Sequence, residues 1–300
     1  MTPPPGLPGS GAALFPCGLL QPEGAYRFGQ DALLLAAFAA RTLRERAAGG
    51  RASGKGRPRR VAELGTGCGA ALLGVALRCP DVRCLGLERE PSLVRAAAAN
   101  AEALGLGDRV SFCMADLAAP EAWPEPLKEA APQDLVLANP PWGLPGQGRP
   151  SPSPLREAAL RGTAINGNGG NGGDGDALPV FCAAAARLLR HRGVFCCIAA
   201  AGALTRICAA LDGARLGLRR ILPLRSQTRA PSRRLLLLAQ KDAAADVELL
   251  APLTLHGRAA AEPGSGKRPR WTRAALAFCP WLAHSGTTPA AWRASPRGTP

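Results

Sequence analysis

From Arg60 onward, short apolar runs alternate with longer Ala- and Leu-rich stretches, and this alternation limits the fold more than any other feature. The short runs are Val61–Leu64, Val82–Leu87, Val110–Met114, Asp134–Ala138 and Gly193–Ala200. The longer stretches are Ala70–Arg78, Pro91–Leu104, Leu178–Leu189 and Leu204–Leu216. Short runs bounded by turn residues read as buried strands and the longer stretches as helices, one of them with Pro91 in its first turn. Two final runs, Leu218–Leu224 and Arg234–Gln240, have nothing helical between them and are expected to form an antiparallel hairpin. Strands joined through helices lie parallel, with helices on both faces. The expected fold class is therefore α/β: a seven-stranded, mostly parallel sheet with an antiparallel C-terminal hairpin.

Around this unit the 300 residues divide into three parts. Residues 1–19 read as a flexible leader, 20–257 as the domain, and 258–300 as a basic, partly disordered tail rich in Pro, Gly, Arg and Trp. Within the domain, a helix is expected over 31–46 with Asp31 near its start, followed by a flexible connection over 47–60. Residues 143–176 are expected to be a mobile loop, because the tract Ile165–Asp176 has almost no apolar content to bury.

Composition excludes several classes of function. No apolar run reaches about eighteen residues, so no membrane span is expected. The Pro- and Gly-rich start lacks the basic and apolar regions of a secretory signal, so a cytoplasmic protein is expected. The ten cysteines form no C-x-x-C pair and are joined by only three histidines, so neither a metal site nor a disulfide framework is expected. The formal charge of +15 suits an anionic partner, and the basic residues are nearly all Arg, whose fork matches phosphate. The chain is also biased to Ala, Gly, Pro and Arg throughout, so part of that charge is a solvated surface. A monomer is expected.

The segment Glu63-Leu-Gly-Thr-Gly-Cys-Gly69 follows the first strand and opens a helix. Gly65, Gly67 and Gly69 let the backbone turn sharply and approach a ligand without a Cβ in the way. The helix N-terminus adds unpaired N–H groups. Glu88 ends the next strand, nineteen residues after Gly69, where a carboxylate can accept from both ribose hydroxyls of an adenosine. Read with Ala70 last, the same glycines also satisfy a dinucleotide fingerprint. Glu63 favours S-adenosyl-L-methionine instead, since an acid before the glycines repels a pyrophosphate and suits the ammonium of a methionine. Asp116, closing the third strand, is placed either to contact the adenine of that cofactor or to cap the following loop.

Asn139-Pro140-Pro141-Trp142 follows the fourth strand directly. An adenine amine or an amide nitrogen is a poor nucleophile because its lone pair is delocalised. The Asn139 side-chain oxygen and the Pro140 carbonyl can each accept one N–H from such an amine. That pair of acceptors favours the more tetrahedral nitrogen, with its lone pair aimed at a methyl donor. The prolines keep the carbonyl pointed into the site, and Trp142 offers a flat face for a planar substrate. Transfer is then an in-line displacement driven by positioning and electrostatics. The alternative is a proline-terminated strand end with an aromatic packed beneath it.

With these motifs in place the chain resembles the class I N-methyltransferases that act on adenine amines or on protein glutamine. More closely, it is similar to the bacterial family that methylates adenine 37 in the anticodon loop of a valine tRNA. Gln21-Pro22, Tyr26-Arg-Phe-Gly-Gln-Asp-Ala-Leu-Leu-Leu-Ala36, Gly146-x-Gly148-Arg149-x-Ser-Pro152 and Ala251-Pro252-Leu253 carry that closer match over about residues 20–257. The resemblance implies a Rossmann-like fold. It places Phe28 and Asp31 beside the methionine end of the cofactor, and Glu63, Gly65, Thr66, Gly67 and Gly69 around its methionine half. It assigns Glu88 to the ribose, Asp116 to the adenine ring, and Asn139, Pro140, Pro141 and Trp142 to the reacting base, with Asn139 also bordering the cofactor. The Trp, where that family more often has Tyr or Phe, the Gly/Asn tract and the tail depart from the pattern.

The expected function is methylation of an adenine amine in RNA, with tRNA favoured as partner. Arg149, Arg219, Arg220, Arg225, Arg229 and Arg233 are candidate phosphate contacts, since no acid stands between Ala214 and Arg234. A merely solvated basic face is the alternative. Methylation of a protein glutamine, methylation of DNA adenine, and an RNA-binding protein that keeps only the scaffold are the competing functions.

Overall fold

The computed structural model describes residues 15–49, 58–128, 132–142, 153, 176–257 and 270–284. Elements run in the order α1 (Gln30–Ala48), β1 (Arg59–Leu64), α2 (Ala70–Arg78), β2 (Val82–Glu88), α3 (Pro91–Ala103), β3 (Val110–Met114) and α4 (Glu125–Lys128). They continue with β4 (Gln133–Ala138), α5 (Leu178–Leu188), β5 (Leu189–Ala200), α6 (Leu204–Gly213), β6 (Leu216–Arg225), β7 (Ser232–Lys241), β8 (Glu248–Leu249), β9 (Leu253–Thr254) and α7 (Arg273–Phe278). The strand order is β3-β2-β1-β4-β5-β7-β6-β8, with β9 also paired to β6. The first five are parallel, and β7 runs antiparallel between β5 and β6. The seven expected strands are all present, and β8 and β9 add two residues each to the far edge. Strand order reverses between β1 and β4, so the carboxyl ends of those two strands form the switch point at which open α/β sheets bind ligands.

One face of the sheet is covered by α1, α2 and α3, the other by α5 and α6 with Trp123 and Leu127. Residues 32–40 of α1 are all buried, as a helix apolar on every side must be. α3 starts with Pro91 and is capped by Glu90, whose carboxylate accepts from Ser92 N. Seven of the ten cysteines are buried. Burial pushes the thiols of Cys68, Cys84, Cys182 and Cys196 up to about 12. Among the described residues no cluster of His, Cys, Asp or Glu is suited to a metal ion, and no helix is long and apolar enough to cross a membrane.

Some residues of the expected leader and tail pack against the domain. Phe15, assigned to the leader, is buried. In the tail, α7 is capped by Thr272 and leads into a tight turn at Pro280–His284. Ala275, Phe278, Cys279 and Leu282 are buried against the rest of the core. Trp281 meets Phe15 edge-on, with ring centroids 5.0 Å apart, and the Arg78 guanidinium lies 5.1 Å over its ring. A Cβ at Gly74 would fall 2.9 Å from Ala36 Cβ and 3.2 Å from Trp281, so α1, α2 and the tail meet at a residue with no side chain. Sparse apolar residues separated by Pro and Arg show no period, which is why their packing is not legible locally. Residues 1–14, most of the expected mobile loop 143–176, including Arg149 and the Gly/Asn tract, and tail residues 258–269 and 285–300 lie outside the described residues.

Leu282→Ala is expected to lower the stability of the whole domain by about 2–5 kcal/mol. Urea denaturation checks this, and an unchanged midpoint would show that the tail does not pack as described.

Candidate functional site

β1 ends at Leu64, and the chain then reverses through Gly65, Gly67 and Gly69, whose φ angles are 62°, 58° and 86°. This left-handed region is costly for any residue with a Cβ. Gly69 is also the N-cap of α2, so the reversal delivers the helix N-terminus to the carboxyl edge of the sheet. Thr66 N donates to Leu87 O at 3.0 Å, which ties the turn to β2.

Two carboxylates flank the turn. Glu63 Oε2 accepts from Thr66 Oγ1 at 2.7 Å and from Leu72 N at 2.9 Å. Glu88 accepts from Gly67 N at 2.9 Å, Arg89 N at 3.0 Å and Glu90 N at 3.1 Å. Burial raises the Glu63 carboxyl to about 8, against the pull of the Thr66 and Leu72 hydrogen bonds and with added repulsion from Glu88. Burial also raises Glu88, while its three backbone donors pull the other way. A pair of buried acids flanking the turn disfavours a pyrophosphate. It fits a ligand that brings an ammonium to one acid and hydroxyls to the other. The dinucleotide reading of the glycines is therefore the poorer fit.

Several groups were not visible in the sequence. Asn100 on α3 is 2% exposed; its side chain donates to Cys68 O at 2.9 Å and Leu20 O at 3.1 Å and accepts from Leu20 N at 2.7 Å. It thereby fixes the segment before α1 beside the glycine turn. Phe181 of α5 lies against Gly65, where a Cβ would come within 3.3 Å of its ring. Phe112 of β3 packs under Gly69 and Gly86, and a Cβ at Gly86 would clash with that ring. A lone Asn in an Ala-rich helix and two isolated Phe carry no signal without their neighbours.

Phe28 is partly buried against the core, and its N–H donates to Gln21 Oε1 at 3.1 Å. Asp31, in the first turn of α1, bonds Arg234 Nε at 3.1 Å. Asp116 lies exposed two residues past β3, next to Glu88, whose main-chain oxygen accepts from Ala115 N at 2.9 Å. Its carboxylate accepts from Ala118 N at 2.9 Å, as a loop cap does.

Because Ala138 pairs with Leu64, Asn139 stands one strand away from Gly65, roughly 5 Å across the sheet. Asn139 is half-buried, and among the described residues no hydrogen bond engages its amide. Pro140 is buried. Trp142 is held firmly: its indole N–H donates to Ile198 O at 3.1 Å, and its carbonyl accepts from Arg206 at 2.6 Å. Arg206 is paired in turn with Asp176 at 2.8 Å. The Arg234 guanidinium lies 4.2 Å over the Trp142 ring, so one of the two faces is already covered.

The arginine cluster is divided. Arg219 is paired with Asp246 at 3.2 Å, and Arg220 with both Glu45 and Glu248 at 2.8 and 2.9 Å. These acids come from α1 and from the segment after β7, out of reach of any local reading. Arg225 donates to Thr254 Oγ1 at 2.8 Å, while Arg229 on the β6–β7 turn and Arg233 at the start of β7 are exposed at the carboxyl edge.

This sheet order, glycine turn and edge define the Rossmann-like fold of class I methyltransferases. The chain is similar to a crystal structure of a predicted O-methyltransferase of Agrobacterium tumefaciens, with TM-score 0.54 and 19% identity over 83% of this chain and 95% of that one. It is also similar to a type I restriction-modification methyltransferase subunit of Streptococcus thermophilus, with TM-score 0.52 and 17% identity over 88% and 54%. In sequence it is 40% identical over 83 residues to a release factor glutamine methyltransferase of Rhodospirillum rubrum, covering 28% of this chain and 23% of that protein. It is 34% identical over 118 residues to a tRNA1(Val) (adenine(37)-N6)-methyltransferase of Porphyromonas gingivalis, covering 39% and 42%. The chain thus spans less than half the length of these curated relatives. No family model matches it.

The raised Glu63 carboxyl has a consequence for stability. The folded state holds its proton up to about pH 8, whereas the unfolded chain releases it near 4.5, so the folded protein binds the extra proton between these values. The Glu63 contribution is then present below the unfolded pKa and is lost as pH rises through the folded one. Wild type is expected to lose stability from pH 5 to pH 9, and Glu63→Gln to flatten that decline. Chemical denaturation across the range checks it; parallel profiles would sink the assignment.

Proposed function

We propose that this protein is an S-adenosylmethionine-dependent N-methyltransferase whose acceptor is an adenine amine in RNA, most simply in a tRNA anticodon loop. The observation that carries the reading is Asn139: a half-buried amide with no partner among the described residues, one strand from a glycine turn flanked by two buried acids. S-adenosylmethionine, when bound, supplies an electrophilic methyl group. Glu63 and the backbone of Gly65–Gly69 hold the methionine half, Phe28 and Asp31 border that end, Glu88 takes the ribose hydroxyls, and Asp116 stands at the adenine. Asn139 Oδ1 and the Pro140 carbonyl each accept one N–H of the substrate amine and so turn its lone pair toward the donor. No general base is required, because the cationic product loses its proton after transfer.

Trp142, half-buried beside Asn139, receives the base. An unpaired loop base reaches such a pocket at less cost than one flipped from a duplex. Exposed Arg229 and Arg233 favour RNA, as does the similarity to the Porphyromonas tRNA enzyme. Similarity to a glutamine methyltransferase supports a second reading, since a glutamine amide nitrogen poses the same chemical problem.

Labelled S-adenosylmethionine is supplied with unmodified tRNA or with a glutamine-bearing release-factor fragment. Label is expected in tRNA, and Asn139→Ala should cut the turnover rate at least about 100-fold while cofactor affinity by calorimetry stays the same. Label in the protein fragment alone would transfer the assignment to glutamine. No label in either, or an unimpaired variant, would overturn it.

A further inference from the structure

His256 and Trp271 form a stacked pair that the methyl-transfer site does not use. Their ring centroids are 4.3 Å apart and the planes are tilted by 30°. The backbone builds the pair deliberately. Leu255 N and His256 N donate to Arg225 O and Ser226 O at 2.9 and 2.8 Å, carrying the β9 strand past the end of β6. The tail then returns antiparallel, with Gly257 N bonded to Arg270 O and Thr272 N to Leu255 O, both at 2.9 Å. Both rings remain partly exposed. His256 Nδ1 is buried with no hydrogen-bond partner, a cost to folding that an apolar residue would avoid.

The surroundings are uniformly basic. Arg225 bonds Thr254 beside the pair, and Arg229, Arg233, Arg270 and Arg273 are exposed. No acid occurs over residues 214–234, 250–257 or 270–284. All of this lies on the carboxyl edge, in line with Asn139. The strands ending or starting there run β4, β5, β7, β6, β9, so at about 4.8 Å per strand the pair stands roughly 20 Å from Asn139. Arg233 and Arg234, at the start of β7, fall midway.

We propose that Trp271, stacked on His256, and the arginines Arg225, Arg229 and Arg233 bind single-stranded RNA several nucleotides away from the base being methylated. Aromatic faces bind bases with little regard to sequence, and guanidinium groups on the same edge hold the intervening phosphates. His256 braces the indole, which also packs against the core, and the part of the ring left exposed is what a base would meet. This surface rests on the RNA reading above, yet it is separable from the reaction.

Titration of a labelled single-stranded oligoribonucleotide into the full chain, followed by anisotropy at several salt concentrations, tests it. Trp271→Ala should weaken binding about tenfold or more and Trp271→Phe should restore most of it. Arg229→Gln and Arg233→Gln should each reduce the salt slope by about one. Cofactor affinity should not change in any of them. Thermal unfolding of each variant shows whether it is folded, and His256→Ala, which leaves the indole in place, should show an intermediate loss. Wild-type affinity in a folded Trp271→Ala, or no RNA binding by the wild type, overturns the proposal. If RNA binds through Trp271 but receives no methyl group, the surface stands and the proposed reaction fails. If RNA is methylated and Trp271→Ala binds as wild type does, the reaction stands and the surface fails.

Discussion

Glu63 and Glu88 grip the glycine turn from opposite sides, and the positions of the other groups at the carboxyl edge follow from that grip. One acid binds the Thr66 hydroxyl and the Leu72 amide, the other the Gly67 amide. Three left-handed glycines at alternate positions would otherwise leave this turn loose. The same contacts aim the start of α2 at the space beside β4. Burial makes both carboxyls hold their protons more tightly than solvated acids do, so a ligand that brings positive charge or hydroxyl groups is the kind that favours their ionised form.

The second organising contact joins parts of the chain that are far apart. Arg234, at the start of β7, lies between Asp31 of α1 and the ring of Trp142. This is possible because β7 is inserted between β5 and β6, so the return strand of the hairpin begins near the end of β4 and not at the sheet margin. The result is a Trp142 with its N–H, its carbonyl and one face all occupied.

Charge follows the same logic of position. The excess of arginine is spread along the sequence, yet Arg219 and Arg220 spend theirs on acids from α1 and from the segment after β7. Of the arginines around β6 and β7, Arg229 and Arg233 remain outward-facing at the carboxyl edge, next to the strand that carries His256. The tail contributes to the core through Phe278 and Leu282, and to this edge through Trp271.

Patterns of short range were sufficient for the framework. A period-two or apolar run against a helical one is a property of neighbouring residues, so β1 to β7, α2, α3, α5 and α6 could be read from the chain, as could the glycine turn with its acids and the Asn-Pro-Pro-Trp segment. Contacts between residues remote in sequence could not be read this way. Asn100 bonds Leu20, Phe15 meets Trp281, Arg220 pairs with Glu45, and His256 stacks on Trp271 only because the sheet order brings them together. The residues alone determined the class of fold and the kind of chemistry its turns can support. The tertiary structure decided what holds Trp142 in place, which arginines pair with acids, and that part of the tail packs on the core, because burial and pairing depend on neighbours that no local window contains.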